Sequence, residues 1–358
     1  MELIPGLPND IALECLIRVP YNHFSSVSLV SQTWKTELEL PGFRRHRKSS
    51  GLTRFIIVMA QARFDSNQNS FMGKKYMAAP MYRVTLCEPE TGIWSDLPPI
   101  PGLSYGLPLF CQFAGVGSDL VVLGGWDPAT WDASNSKAVF VYNFLSGQWR
   151  AGSSMPGSPR SFFACASDSD RMVLVAGGHD NEKNALKSAM AYDVFNDKWV
   201  PLPDMARERD ECKAVFQHGK FQVIGGYGTE MQGHFERSAE TFDVSTWQWG
   251  SVEDNFLETG TCPSTCVASD KGKIYICRGS DLAILQNATW KSVTELPMEV
   301  RCSPHLTIWE DKLLVIGSEK LGAPHVTCVL NLERYRWTRI ATPDEYSGHV
   351  QSTCCLEI

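Results

Sequence analysis

The chain has 358 residues, a net charge of −7 and 12 cysteines, and 43% of it is hydrophobic. Its acidic balance comes from mixed signs, so composition leaves no electrostatic footprint for nucleic acid, and the longest apolar run, residues 55–60, is far too short to span a bilayer. The length allows one large β domain plus a small extra module.

In chain order, Met1-Glu2-Leu3-Ile4-Pro5 is acidic and soon interrupted by proline, where a secretory segment would be basic and then apolar. The chain is therefore expected in the cytoplasm, the nucleus or both. Asn9 is placed to cap a helix on which Ile11, Cys15, Leu16 and Val19 share a face, and Pro20 to stop it. A second helix is expected over 24–38, carrying Val27, Val30, Trp34 and Leu38 before Pro41. A module of roughly forty-five residues cannot cover that much apolar side chain by itself. Either the rest of the chain or a second protein has to take up the surplus. The basic run Arg44-Arg45-His46-Arg47-Lys48 reads first as a solvated segment end, with a nuclear-import signal or a phosphate patch as alternatives.

From residue 53 onward the pattern changes to short apolar runs separated by turns. Leu120-Val121-Val122-Leu123, Val173-Leu174-Val175-Ala176 and Phe221-Gln222-Val223-Ile224 suit strands buried on both faces. Each is followed by paired glycines, Gly124-Gly125, Gly177-Gly178 and Gly225-Gly226, which let backbones approach and turn where a β-carbon would clash. The aromatic pairs Tyr142/Trp149, Tyr192/Trp199 and Phe242/Trp249 keep one spacing, and the three tryptophans stand fifty residues apart. Such a period predicts a repeat architecture in which the aromatics fill the gaps between stacked sheets.

Period, tryptophan and diglycine together resemble the kelch repeat from about residue 53 to the end, which implies a β-propeller. Counting Trp94, Trp149, Trp199, Trp249, Trp290 and Trp337 gives six blades. Arg278-Gly279 and Gly317-Ser318 replace the diglycine in the last units, which leaves five blades open. The unit of Trp94 is one strand short, while residues 349–358 follow the last tryptophan unit as an orphan apolar strand. The C-terminal segment is therefore expected to complete the first blade and remove the exposed edges. The domain organisation that follows is a small helical module over 1–48 and a propeller over 49–358.

In the N-terminal module, Leu7-Pro8, Asp10-Ile11, Cys15-Leu16, Arg18-Val19-Pro20, Val27-Ser28-Leu29-Val30-Ser31, Trp34 and Pro41-Gly42-Phe43 resemble an F-box. The resemblance implies binding to the Skp adaptor of a cullin ubiquitin ligase through Leu7, Pro8, Ile11, Leu16, Val19, Pro20, Leu29 and Val30. An F-box before kelch repeats is similar to the plant F-box/kelch proteins. MELIPGLP, GSDLVVLGG, PRSFFACASDSD, VAGGHDNEKNA, LPDMARERDEC and GHVQSTCCLEI look closest to the KISS ME DEADLY type, the subgroup that targets phenylalanine ammonia-lyase and the type-B response regulators of cytokinin signalling. The resemblance thus implies a substrate-recognition subunit without catalytic residues of its own.

Substrate contacts are expected in the loops between blades and in those after the diglycine, because rigid strands hold such loops out for binding. Arginines and aromatics there, Arg160, Phe162, Arg207, Arg209, Arg301, Trp126, His179 and Tyr227, are the types enriched at interface hot spots. Arg160, Arg209 and Arg301 lie near positions at which kelch receptors read acidic groups; the alternative is that they bridge neighbouring blades. Other classes find less support. A copper-radical oxidase would need an ordered set from Tyr227, His179, His234 and Cys212, and the Glu-x-x-x-Asp-x-x-x-His run of the iron-dependent kelch proteins is absent. Cys262, Cys266, Cys277 and His305 lack paired Cys-x-x-Cys knuckles, so no zinc and no other cofactor is expected, and the cysteines read as small hydrophobes. A kelch scaffold that does not direct ubiquitination remains the alternative, with a metal-dependent kelch oxidase behind it.

Overall fold

The structure, a computed structural model, describes residues 2–63 and 80–358. The runs with two-residue alternation or full burial become six four-stranded antiparallel sheets. The first blade is built from β1 (Phe55–Ala62), β2 (Tyr82–Glu88) and β3 (Ile93–Asp96), with β24 (Val350–Glu357) against β1 as its innermost strand. The second holds β4 (Gln112–Val116), β5 (Asp119–Leu123), β6 (Val139–Asn143) and β7 (Gln148–Ala151), and the third β8 (Ala164–Ser167), β9 (Met172–Ala176), β10 (Ala189–Asp193) and β11 (Lys198–Leu202). The fourth consists of β12 (Lys213–Gln217), β13 (Lys220–Ile224), β14 (Ala239–Asp243) and β15 (Gln248–Trp249). The fifth is β16 (Val267–Ala268), β17 (Ile274–Arg278), β18 (Asp281–Gln286) and β19 (Thr289–Glu295), and the sixth β20 (Cys302–Trp309), β21 (Lys312–Ser318), β22 (Val326–Asn331) and β23 (Arg336–Ile340). The innermost strands touch one another around the ring, β24 beside β4 and β20 included, so the chain is a six-bladed propeller.

The repeated aromatics hold the blades in two ways. Within a blade, Tyr142 faces Trp149, Tyr192 faces Trp199 and Phe242 faces Trp249 across adjacent strands, with ring centroids 5.0 to 5.4 Å apart. Between blades, each indole N–H donates to a carbonyl on the segment that leaves the preceding blade. Trp149 reaches Pro98 at 2.8 Å, Trp199 reaches Ser153 at 2.8 Å and Trp249 reaches Pro203 at 2.7 Å. Trp290 does the same to Phe256, Trp337 to Glu295, and Trp94 to Ala341 across the closure. A buried indole N–H needs such a partner, and tryptophan therefore sets the spacing of sheets as well as filling it.

The N-terminal helices are α1 (Asn9–Leu16), α2 (Phe24–Ser28), α3 (Gln32–Glu39) and α4 (Pro41–Ser49). Two expectations change here. Pro8, not Asn9, occupies the cap position of α1, and the Asn9 carboxamide oxygen instead accepts from the Leu3 amide at 3.0 Å. The single helix expected over 24–38 is broken, because the Ser31 hydroxyl accepts from the Trp34 amide at 3.1 Å and starts α3 afresh. That break leaves Leu29 and Val30 in a turn.

The helices pack against the floor of the ring, the face formed by the hairpins within each blade. Leu16, Ile17, Phe24, Leu38 and Phe43 share one core with Ile56, Leu120, Tyr142, Phe144 and Leu356. The Tyr21 hydroxyl donates to Glu88 at 2.6 Å, and Lys48 pairs with Glu357 at 2.6 Å. In the basic run Arg45 and Lys48 are exposed and Arg44 and His46 half-buried, as expected of a solvated segment; Arg47 departs from it. Arg47 is buried, donates to the carbonyls of Ile17, Val19 and Leu52, and lies over the Phe24 ring at 4.8 Å, fastening α4 to α1 and to the link into β1. The rest of the chain does cover part of the apolar surplus of the N-terminal module.

The inner strands enclose a channel of about 450 Å³, overlooked by Arg44 and Lys48 at the floor. Lys213 lines it, half-buried, near Cys165, Cys262 and Cys266, and has no hydrogen bond or ion pair among the described residues. Desolvation lowers its pKa, so the folded state bears the expense of an ammonium that water would solvate better. Replacing it by methionine, Lys213→Met, keeps the length and is expected to stabilise the fold by up to about 1 kcal/mol, visible as a small rise in Tm in a thermal melt. A fall in Tm would show that the ammonium has a partner in the channel.

Candidate functional site

Two faces of the molecule carry the sequence-derived candidates. On the helical module, the eight positions separate by exposure. Leu29 is 86% exposed, Val30 63% and Ile11 48%, and Pro8 and Pro20 are also exposed. Leu7 and Val19 are half-buried, Val19 against the shared core. Leu16 is only 2% exposed and packs inside the chain's own core. The resemblance implies it as a contact by its position in the motif; the docking of α1 on the propeller turns it inward. What remains open is a set of aliphatic side chains at the α2–α3 turn and the start of α1, on a module fastened to the floor.

The opposite face, made by the loops between blades and after the diglycines, holds the second set. Its backbone is built by a repeated bridge. Leu109 pairs with Trp126, Ser161 with His179 and Asp210 with Tyr227, each joining the loop before an inner strand to the residue after a diglycine. The glycines are required for it: Gly177 and Gly178 have φ of 67° and 80°, and a β-carbon on Gly178 would lie 2.3 Å from the Ser161 carbonyl. The same bridge brings Trp126, Phe162, His179 and Tyr227 into one arc across blades two to four.

The arginines behave differently. Arg160 is buried and donates to the carbonyls of Gly177 and Ser188 at 2.7 and 2.9 Å and to the Ser188 hydroxyl at 2.6 Å. Arg209 repeats this one blade later, donating to the Gly225 carbonyl at 2.7 Å and the Ser238 hydroxyl at 2.8 Å, and it adds the Glu240 carboxylate at 3.1 Å. Both side chains clamp the base of the diglycine loop of their own blade, while the Arg209 backbone also ties blade four to blade three, its amide donating to the Leu186 carbonyl at 3.1 Å and its carbonyl accepting from the Gly178 amide at 2.8 Å. Desolvation lowers the Arg160 pKa to about 10, since its hydrogen-bond partners are neutral and Asp204 opposes the shift only in part. Arg207 is held by Glu236 at 3.0 Å and Asp254 at 2.6 Å, and Arg301 by the Leu296 carbonyl at 2.9 Å and Glu295 at 3.0 Å.

The arc includes residues that sequence reasoning missed. The Phe110 ring lies 5.0 Å from Phe162 and 5.5 Å from Trp126, and Phe162 lies 5.8 Å from Trp126 and 5.5 Å from His179. The His179 ring nitrogen Nδ1 and an Asp210 oxygen are 2.9 Å apart, and the Tyr227 hydroxyl donates to Glu211 at 2.9 Å. Phe110, Phe162, Glu211 and Ser303 occupy one repeat position, two residues before or at the start of an inner strand, and all have left-handed backbone, with φ of 62°, 52°, 49° and 49°. Bulky residues in that conformation are costly, about 1–3 kcal/mol each, and persist where the surroundings fix them. Of these, Phe162 is legible as an aromatic in a loop between blades; Phe110 and Glu211 emerge only when the loops before β4, β8 and β12 are aligned.

Among the described residues no cluster of three or more His, Cys, Asp or Glu side chains is arranged to hold a metal. Burial pushes the thiols of Cys87, Cys111 and Cys165 up to about 12 and Cys212 up to about 11, so each is a protonated, apolar filler. No helix is long and apolar enough to cross a membrane among the described residues.

Known proteins give the family. The Kelch motif model matches residues 110–156 and 159–206. The F-box/kelch-repeat protein At1g15670 of Arabidopsis thaliana is 50% identical over 100% of both chains, and the F-box/kelch-repeat protein At1g80440 of the same plant is 49% identical over 100% of both. The chain belongs to the F-box/kelch-repeat proteins. More distant is the F-box/kelch-repeat protein SKIP20 of Arabidopsis thaliana, 33% identical over 71% of this chain and 67% of its own. In an F-box/kelch-repeat protein of this geometry, the open aliphatic patch and the aromatic arc lie on opposite faces of one rigid ring.

Proposed function

We propose that the protein is the substrate-recognition subunit of a Skp–cullin–F-box ubiquitin ligase. The observation that carries this reading is the exposure of Leu29 and Val30 on a helical module whose other apolar face is already buried on the propeller. An aliphatic turn left in water on an otherwise packed module marks an interface. The Skp adaptor covers it, and the loop face on the far side holds a substrate. Its work is then proximity: a ubiquitin-charged enzyme carried by the cullin meets a substrate lysine at high effective concentration. No residue of this chain takes part in the transfer. The full-length resemblance to the subgroup described above nominates phenylalanine ammonia-lyase and type-B response regulators as substrates, with the chain lowering their abundance in the cytoplasm or nucleus.

The paired substitution Leu29→Asp and Val30→Asp tests the adaptor face. Both side chains lie outside the core, so Tm is expected to stay within about 2 °C, a change of the size surface substitutions produce. Affinity for a Skp adaptor is expected to fall by at least about 100-fold, since two carboxylates would be buried without partners where apolar groups had sat. Wild-type affinity in a titration of the purified double variant would remove the patch from the interface.

A further inference from the structure

We infer that the loop face reads a protein segment in which lysine or arginine stands next to an aromatic or aliphatic side chain. The inference rests on the receptor reading above and deepens it by naming the class of segment. It starts from the repeat position before each inner strand. Ser303 and Glu211 fill it in the sixth and fourth blades, so the ring does not demand an aromatic there. Yet Phe110 and Phe162 stand there with left-handed backbone, and Phe110 keeps 39% of its surface in water. Neither backbone preference nor burial accounts for an exposed phenylalanine at such a site. Packed edge to face with Trp126 and backed by His179, the two rings form a stiff apolar platform. A platform of that kind suits an aromatic or aliphatic side chain, or the face of a cation.

Beside the platform the charge is negative. Asp210 is set against His179, Glu211 is held by Tyr227, and Glu208 accepts from the Thr229 hydroxyl at 2.9 Å. Asp180, Glu182 and Glu230 add carboxylates on the neighbouring loops. The cations that would offset them are committed elsewhere. Arg160 serves backbone carbonyls, Arg209 is tied to Glu240, Arg207 is shared between two carboxylates, and Lys187 lies 3.9 Å from Asp204. Lys183 and Arg237 stand exposed on these loops without an ion pair among the described residues, fewer cations than the carboxylates around them. An acidic segment meets repulsion on this arc, while a basic one is steered in and can place its cation between Glu211 and the rings.

The test uses the full chain, with and without its Skp adaptor, panned against a displayed library of random peptides. The expected result is enrichment of sequences carrying Lys or Arg beside an aromatic or aliphatic residue, with binding that weakens as salt is raised. Two variants locate the site. Glu211→Lys is expected to weaken the selected peptides by about tenfold or more through charge reversal. Phe162→Gly is expected to do the same by removing half of the platform, and because glycine suits a φ of 52° the variant keeps its fold. A melting curve close to the parent's accompanies both. Enrichment of acidic peptides, no enrichment, or selected peptides indifferent to both variants would overturn the inference. Adaptor titration separates the two readings. Adaptor binding without basic–apolar peptides leaves the receptor reading standing and this one fallen, whereas the reverse pattern keeps this surface and removes the ligase.

Discussion

Removal of residues 350–358 is expected to abolish the cooperative folding of the ring. These residues form β24, paired with β1 from Phe55↔Glu357 to Gln61↔Val350, and they supply the inner strand of a blade whose other strands come from the start of the propeller. Val350, Leu356 and Ile358 are buried, and full burial of each is worth about 1.5–3 kcal/mol. Further contacts fasten the strand to both neighbours. The Ser352 hydroxyl accepts from the Phe113 amide at 3.0 Å, the Gln351 side chain accepts from the Phe110 amide at 2.8 Å, and the Thr353 and Thr307 hydroxyls are 2.8 Å apart. Their sum approaches the entire stability of an ordinary domain, about 5–15 kcal/mol. A thermal melt of the truncated chain should therefore show Tm lowered by more than about 10 °C or no transition at all. The helices should loosen as well, since Glu357 anchors Lys48 and Thr53. A truncated chain that melts within about 3 °C of the parent would show that the ring is held without its last strand. Leu356→Ala gives a milder version, at about 2–5 kcal/mol.

What could be read from the sequence follows from range. The tryptophan and its aromatic partner seven residues earlier meet across one hairpin, so the signal is local; in the fifth blade the hairpin shortens and Leu285 takes the aromatic's place, but Trp290 remains. Six tryptophans therefore report six blades although the last units have lost the diglycine. Their second task, the indole bond to the preceding blade, is equally periodic and could have been inferred from the same spacing. The arginines show the opposite case. The carbonyls and hydroxyl that receive Arg160 lie 17 and 28 residues away, on a loop whose return is fixed only once the diglycine has turned. From composition alone an arginine at a loop end looks the same whether it faces water or backbone. The helical module divides likewise: the apolar face was legible, but its allocation between the propeller and the open turn at Leu29 depends on Ser31 breaking the helix and on Arg47 pulling α4 inward. In the loop arc, Trp126, Phe162, His179 and Tyr227 were legible by residue type and loop, whereas Phe110 and Glu211 share the left-handed repeat position of Phe162, which only the folded backbone reveals.

Arg209→Ala is expected to be among the most destabilising single substitutions in the molecule. Arg209 and Glu240 are 1% and 0% exposed at the side chain, and they meet at 3.1 Å. Glu240 also receives the amides of Ala206 and Arg207 at 2.7 and 3.2 Å, so it cannot leave the site when the guanidinium is removed. The alanine variant would strand a carboxylate in the interior and leave the Gly225 carbonyl without its donor, at a cost of about 3–5 kcal/mol. For a domain of this size that lowers Tm by about 4–8 °C. Arg160→Ala should cost less, about 1–3 kcal/mol, because it leaves carbonyls and a hydroxyl and no buried charge. A second change, Glu240→Gln, should restore part of the loss in the Arg209 variant and none in the Arg160 variant, since only the first pair is coupled. The consequence reaches the loop face. Alanine at both arginines would weaken substrate capture by unseating the diglycine loops that carry His179 and Tyr227, whatever the substrate is. Loss of binding in that double variant therefore reports on stability. If Arg209→Ala instead keeps the parent's melting curve and still loses a client, the guanidinium touches the client and the clamp assignment falls.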